Sequence, residues 1–254
     1  MAENDKEFQD MTALVTGSSN GIGAAAAVAF ARRGARVLIH YFRARNEAER
    51  VLASVRDAGA GGEIFQADLS SRDGVHAFIA ALQDRRVDIL VNNAGSLIRR
   101  TRFLEMTEAY WEQIFMLNLT SAMLITRALV PRMIEQKRGF IVNVSSVAAR
   151  NGGGLGAMAY ASAKAALSAM TKGLAKELAP HGVRVNTVSP GTVDTNYHRT
   201  FSTAQMLDAV KNATPLQRLG TAEEIADVIV FLCSHGARFI HGQAIEVNGG
   251  FLMV

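Results

Sequence analysis

Seven short apolar runs, spaced by longer amphipathic ones, constrain this chain more than any other feature. They are "MTALVT" (11–16), "ARVLIHY" (35–41), "GEIFQAD" (62–68), "VDILVNN" (87–93), "GFIVNVSS" (139–146), "VRVNTVSP" (183–190) and "GQAIEVN" (242–248). Several are apolar nearly throughout, which suits strands buried on both faces. Between them lie helical patterns such as "GIGAAAAVAFARRG", "EAERVLASVRDAG", "GVHAFIAALQD", "AYASAKAALSAMTKGLAKELAP" and "AEEIADVIVFLC". The pattern "TEAYWEQIFMLNLTSAMLITRALVPRMIEQ" (107–136) reads as one long helix. Alternation repeated this often predicts an α/β fold, a doubly wound parallel sheet of seven strands with helices on both faces. Hydrophobic residues make up 49 % of the 254, enough for one large core, and neither the 4 prolines nor any charged run divides the chain. The expectation is a single domain over residues 11–254. Residues 1–10, "MAENDKEFQD", lack the basic start and apolar stretch of a secretory signal and read as a loose tail.

No apolar run approaches the length needed to span a membrane, so no membrane partner is expected. One cysteine, Cys233, rules out an internal disulfide and a cysteine-based zinc site, and no metal site is expected. A cytoplasmic protein is the simplest reading. The net charge of +4 is spread along the chain and only 7 % of residues are aromatic, which does not suit nucleic-acid binding. A small positive excess fits an enzyme that handles anionic small molecules.

The first predicted strand runs into "TGSSNGIG" (16–23) and then a helix. Glycines at 17, 21 and 23 permit a tight turn and let backbone N–H groups approach a pyrophosphate, and the helix N-terminus favours its charge. The spacing is G-x-x-x-G-x-G, not G-x-G-x-x-G. In doubly wound sheets, ligands sit at the carboxyl ends of the strands, where this turn falls.

"TGSSNGIG", "NNAG" (92–95), Asn118, "NVSS" (143–146), "YASAK" (160–164), "SPG" (189–191), "PLQRLG" (215–220) and "VNGG" (247–250) stand in one order along the chain. In that order and spacing the sequence resembles the short-chain dehydrogenase/reductase family, from about residue 11 to the C-terminus. It is most similar to the 3-oxoacyl-carrier-protein-reductase-like branch and its sugar and polyol dehydrogenase relatives. The resemblance implies a Rossmann fold, a nicotinamide cofactor and a catalytic tetrad of Asn118, Ser146, Tyr160 and Lys164. It also implies cofactor contacts from Gly17, Ser19, Asn20, Gly21, Ile22, Asp68, Leu69, Asn93, Ala94, Gly95, Tyr160, Lys164, Pro190, Gly191, Val193 and Thr195. Asn92 would tie strands together, and Asn118 would hold a water linking the lysine to solvent. A homotetramer is implied, built from helices at about 107–136 and 159–179 and from the C-terminal "FLMV".

Residue chemistry supports the Tyr160–Lys164 pair independently. Carbonyl reduction needs a hydride on carbon and a proton on oxygen. A tyrosine with its ordinary pKa of ~10 is almost wholly protonated at neutral pH, and a nearby cation lowers that value by roughly one to three units. Such a phenol can both give and accept a proton. Lys164 lies four residues on, one helical turn away on the same face. Tyr41, Tyr110 and Tyr197 have no lysine at that spacing. Either Ser145 or Ser146 can polarise the substrate oxygen; family alignment favours Ser146. A cofactor-binding sensor without turnover is the alternative class.

For the cofactor, the second strand ends "HYFRARNE" (40–47). NAD-specific relatives place an acid where Tyr41 stands, and Arg43 and Arg45 follow, suited to a 2′-phosphate. The expectation is NADP, with NAD as the alternative; Asn20, where many NADP-using relatives have a base, points the other way. For the substrate, a 3-oxoacyl thioester and a sugar acid both remain open. Arg99, Arg100 and Arg102 are natural carboxylate binders. Lys137 and His181 occupy the places of a carrier-protein docking pair, and the second is not firmly cationic. Residues 195–214 would form a lid, with Tyr197, His198 and Arg199 near substrate.

Overall fold

The structure is a computed structural model that describes residues 6–254, apart from the side chains of Tyr197, His198 and Arg199; the expectation for those three lies outside the described residues. The elements run β1 (Thr12–Val15), α1 (Gly21–Arg32), β2 (Arg36–Tyr41), α2 (Arg45–Asp57), β3 (Gly62–Gln66), α3 (Arg72–Ala81) and β4 (Ile89–Asn92). Then come α4 (Glu108–Phe115), α5 (Ser121–Glu135), β5 (Gly139–Val144), α6 (Ala148–Asn151), α7 (Met158–Leu178) and β6 (Val183–Pro190). Helices α8 (Asn196–Phe201), α9 (Ala204–Ala213) and α10 (Ala222–Cys233) precede β7 (Ala244–Val247).

Each of the seven apolar runs contains a strand, and all pair in parallel in the order β3-β2-β1-β4-β5-β6-β7. The chain builds outward from β1 to β3, then returns to lay β4 beside β1. The crevice at this reversal, at the carboxyl ends of β1 and β4, is where such sheets bind ligands. Alternation along each strand feeds two cores. Ala13, Val15, Val37, Ile39 and Tyr41 pack with α1, α2 and α10, while Leu14 and Leu38 pack with residues of α3, α5 and α7.

Two expectations need correcting. Residues 6–10 are not loose: Phe8 is buried, stacks edge-on against Phe30 at 5.4 Å, and its N–H donates to the Arg33 carbonyl at 3.0 Å. Burying a phenylalanine contributes about 2 to 3 kcal/mol, enough to offset the ordering of one or two residues. The helix at 107–136 is not uniform. Between α4 and α5 lies a π-helical turn, Met116–Thr120, that carries Asn118. Taken together, Glu108–Glu135 is long and apolar enough to cross a membrane by length and composition alone, although the expectation from sequence is no apolar run of that length. Here α5 packs on α3 and β5, and α4 on α7.

Candidate active site

The glycine turn leaves β1 through Thr16, whose buried hydroxyl accepts the N–H groups of Asn93 and Ala94 at 3.0 Å each. Gly17 has φ +64° and Gly21 φ +55°, the left-handed region that favours glycine. A Cβ on Gly17 would stand 2.9 Å from the Ala94 Cα. At the N-cap of α1, Asn20 makes no side-chain capping bond, so its side chain satisfies none of the first-turn N–H groups, which are suited to a phosphate. The turn borders a cavity of about 1040 Å³ at the carboxyl ends of the strands.

Most of the expected cofactor residues line that cavity: Gly17, Ser19, Asn20, Gly21, Ile22, Asp68, Leu69, Asn93, Ala94, Gly95, Tyr160, Lys164, Pro190, Gly191, Val193 and Thr195. The Asn93 amide donates to the Thr16 and Gly17 carbonyls at 2.9 and 3.0 Å, fixing the turn from behind. Asp68 Oδ1 accepts from the Ser70 N–H and hydroxyl at 2.8 and 2.6 Å. Asn92 bridges β4 to β5 and α5, donating to Asn143 Oδ1 at 2.9 Å and Thr126 Oγ1 at 3.1 Å.

Tyr41 and Arg45 are not brought to the cavity. Tyr41 lies in the core on the α1/α2 face of the sheet, and Arg45 pairs with Glu49 at 2.8 Å. Period-two alternation is the reason: at the end of β2 it sends Tyr41 to one face and His40 to the other. Phe42 and Arg43 line the cavity instead, with the guanidinium of Arg43 over the Phe42 ring at 4.5 Å. His40 also lines it; a lone histidine in an apolar strand was the signal that sequence reasoning passed over.

The strand end of β5 and the first turns of α7 bring Ser145, Ser146, Tyr160 and Lys164 to one wall. Lys164 is 2 % exposed, and its Nζ donates to the Val144 carbonyl at 2.7 Å. Nζ lies 5.7 Å from the centre of the Tyr160 ring. Burial lowers the lysine pKa to about 8. The two serines are separated by their bonding. The Ser145 hydroxyl donates to the Lys164 carbonyl at 2.9 Å and accepts from Ser168, so it belongs to the α7 packing. The Ser146 hydroxyl accepts the Ala148 N–H at 3.1 Å and stays on the cavity wall. Asn118 does not line the cavity. It is buried in the π turn, accepts the Ser96 N–H at 3.0 Å, and donates to the carbonyls of Ser96 and Ile114 at 2.9 Å each. A Cβ on Gly95 would meet Asn118 Oδ1 at 2.7 Å and Lys164 Nζ at 2.9 Å, so only glycine lets this loop pass between them.

Of the three arginines after "NNAG", only Arg100 lines the cavity. Its Nε donates to the Phe201 carbonyl and its Nη1 to that of Leu155, both at 2.9 Å. It thus ties the end of α8 to the loop before α7. Arg99 turns back over the Tyr110 ring at 4.5 Å, and Arg102 is exposed. Residues of α8, α9 and the C-terminal segment (Thr200, Met206, Leu207, Val210 and Phe251) close the far side.

The residues present fit a nicotinamide dinucleotide: an α1 N-terminus without a side-chain cap, a glycine turn that admits no Cβ, and a long cavity ending at a tyrosine and a buried lysine. Residues 17–252 match the family described as Enoyl-(Acyl carrier protein) reductase, a branch of the short-chain dehydrogenases/reductases. The chain is 39 % identical over 244 residues to a 3-oxoacyl-[acyl-carrier-protein] reductase of Synechocystis sp., covering 95 % of this chain and 96 % of that protein. It is similar to a 3-oxoacyl-[acyl-carrier protein] reductase from Brucella melitensis solved with bound NAD, with TM-score 0.88, 33 % identity, and 99 % and 95 % of the two chains covered. A putative gluconate 5-dehydrogenase from Beutenbergia cavernae, solved with bound NADP, gives TM-score 0.90 and 33 % identity over 96 % of this chain and 98 % of that one. This chain therefore belongs to the short-chain dehydrogenase/reductase family and is an oxidoreductase.

Proposed function

We propose that this oxidoreductase interconverts a ketone and a secondary alcohol, with Tyr160 giving and taking the proton. The observation that carries this reading is the buried Lys164, one turn from Tyr160 on the wall of the cavity. The bound nicotinamide supplies the hydride. Ser146 donates a hydrogen bond to the substrate oxygen, and Tyr160 delivers the proton to that oxygen as the carbon is reduced. The charge of Lys164 favours the phenolate left behind. In the oxidative direction the same phenolate takes the proton back. Asn118 acts on the loop at Gly95 and Ser96, which it bonds directly. Tyr160→Phe tests the assignment. Turnover is expected to fall by about 10³-fold or more with dinucleotide affinity retained. Turnover within tenfold of the parent removes Tyr160 from the chemistry. A physiological effect that survives Tyr160→Phe favours the sensor.

NADP is the proposed cofactor, on one arginine rather than two. Arg43 lines the cavity and makes no ion pair among the described residues, whereas Arg45 is spent on Glu49. A guanidinium there can fork onto a 2′-phosphate. In titrations followed by nicotinamide fluorescence, Arg43→Ala is expected to weaken NADPH at least tenfold and NADH less than threefold. Equal effects on both overturn the preference.

The Synechocystis relative's name supports a 3-oxoacyl thioester as substrate. Arg100 favours a second reading, an acidic sugar, because it is a cavity-lining guanidinium whose bonds go to carbonyls, not to a carboxylate. A ketone screen with both classes, read against Arg100→Ala, separates them. A cytoplasmic homotetramer completes the proposal.

A further inference from the structure

His40 stands where the glycine turn meets the adenine end of the cavity. It is 3 % exposed, and its ring packs on Phe78 at 4.9 Å between centres. The Gly17 N–H donates to His40 Nδ1 at 2.9 Å. His40 Nε2 lies 3.2 Å from the Ala67 carbonyl. An N–H partner requires an acceptor at Nδ1, and a carbonyl partner requires a donor at Nε2. Together they select the neutral ring with its proton on Nε2. Burial agrees, holding the pKa down to about 4 against the opposing pulls of the Ala67 carbonyl bond and then of Asp68. The backbone of the same residue adds two more ties: Ser18 N–H donates to the His40 carbonyl at 2.9 Å, and His40 N–H donates to Ser18 Oγ at 3.1 Å.

Gly17 and Ser18 open the pyrophosphate turn, and Ala67 directly precedes Asp68 and Leu69. One ring therefore connects the two halves of the nucleotide end. Gly17 is gripped from both sides, by Ala94 where a Cβ would collide and by His40 through its amide.

We propose that His40 is a positioning residue for the dinucleotide, its Nδ1 holding the Gly17 amide so that the turn presents the α1 N-terminus to the pyrophosphate. This rests on the dinucleotide reading above. Two amide variants separate the ring's contacts. An asparagine amide oxygen falls near the place of Nδ1, and a glutamine amide nitrogen near that of Nε2.

The experiment compares His40→Asn, His40→Gln and the parent protein. NADPH and NADH are titrated by nicotinamide fluorescence, thermal melts check folding, and exchange of the Gly17 amide is followed by NMR without nucleotide. His40→Asn is expected within threefold of the parent affinity, with Gly17 protected. His40→Gln is expected to bind at least tenfold more weakly, with faster Gly17 exchange, although the two variants melt alike. Equal affinities for the two variants overturn the inference, whether both match the parent or both are lost. If the parent binds both nucleotides and neither variant is altered, only the role of His40 falls. If the parent binds neither nucleotide, the cofactor reading falls and takes this inference with it.

Discussion

Lys164 shows what a residue costs when function places it. Its ammonium is buried and donates to the Val144 carbonyl, and its pKa falls from 10.5 to about 8. The sign follows from proton counting. The unfolded chain binds more protons between those two values, so stability rises with pH across that window. Below pH 8 the full cost applies, about 3 kcal/mol at 1.36 kcal/mol per pKa unit. Losing the bond to Val144 returns about 1 kcal/mol or more of that. Lys164→Met is therefore expected to stabilise the nucleotide-free protein by about 1 to 2 kcal/mol at pH 7 while abolishing turnover. Urea unfolding at pH 7 and pH 10 checks it: the parent gains stability over that interval and the variant does not. A variant less stable than the parent at pH 7 shows that the carbonyl bond outweighs burial of the charge.

The π turn at Met116–Thr120 positions the site through one side chain. Asn118 is the shared partner of the Ser96 N–H, the Ser96 carbonyl and the Ile114 carbonyl. Asn118→Ala leaves these part-buried groups without it, an expected loss of about 2 to 3 kcal/mol with faster amide exchange at Ser96. A denaturation midpoint equivalent to less than 0.5 kcal/mol of change, on the order of an ordinary surface substitution, assigns the loop to other contacts. The sheet was legible because its strands are nearly all-apolar runs between helical patterns, a signal that packing reinforces. The glycine turn and the Tyr160–Lys164 pair were legible because their spacing is local. Tyr41 was misplaced because its position was counted from the strand end without following which face alternation gives it. The π turn was invisible because the apolar pattern on both sides of it still reads as one helix. Selecting Arg100 over Arg99 and Arg102 depends on the loop path through Ile98, a β-branched residue at φ +59° that local propensity disfavours. Only tertiary contacts, including those of Arg100 with Phe201 and Leu155, make that path known.

At the scale of the whole molecule, the helical rod Glu108–Glu135 has two faces with different fates. One packs on α3, α7 and β5. On the other, the outward residues mix charge with apolar surface: Glu112, Arg127 and Arg132 are exposed, Leu119 and Val130 are half-buried, and Met123 on α5 is 37 % exposed. The proposed tetramer covers this outward face with the same face of a second copy, an arrangement in which each residue meets its own symmetry mate or a neighbour. A lysine at position 123 would then bring like charges into a dry contact, which costs several kcal/mol. Light scattering is expected to give four chain masses for the parent and no more than two for Met123→Lys, with the melting temperature lowered in a concentration-dependent way. A monodisperse monomer in the parent removes the assembly. A variant that remains tetrameric keeps the assembly but moves the contact off this rod, for instance to the turn before β7, where Phe239 is fully exposed.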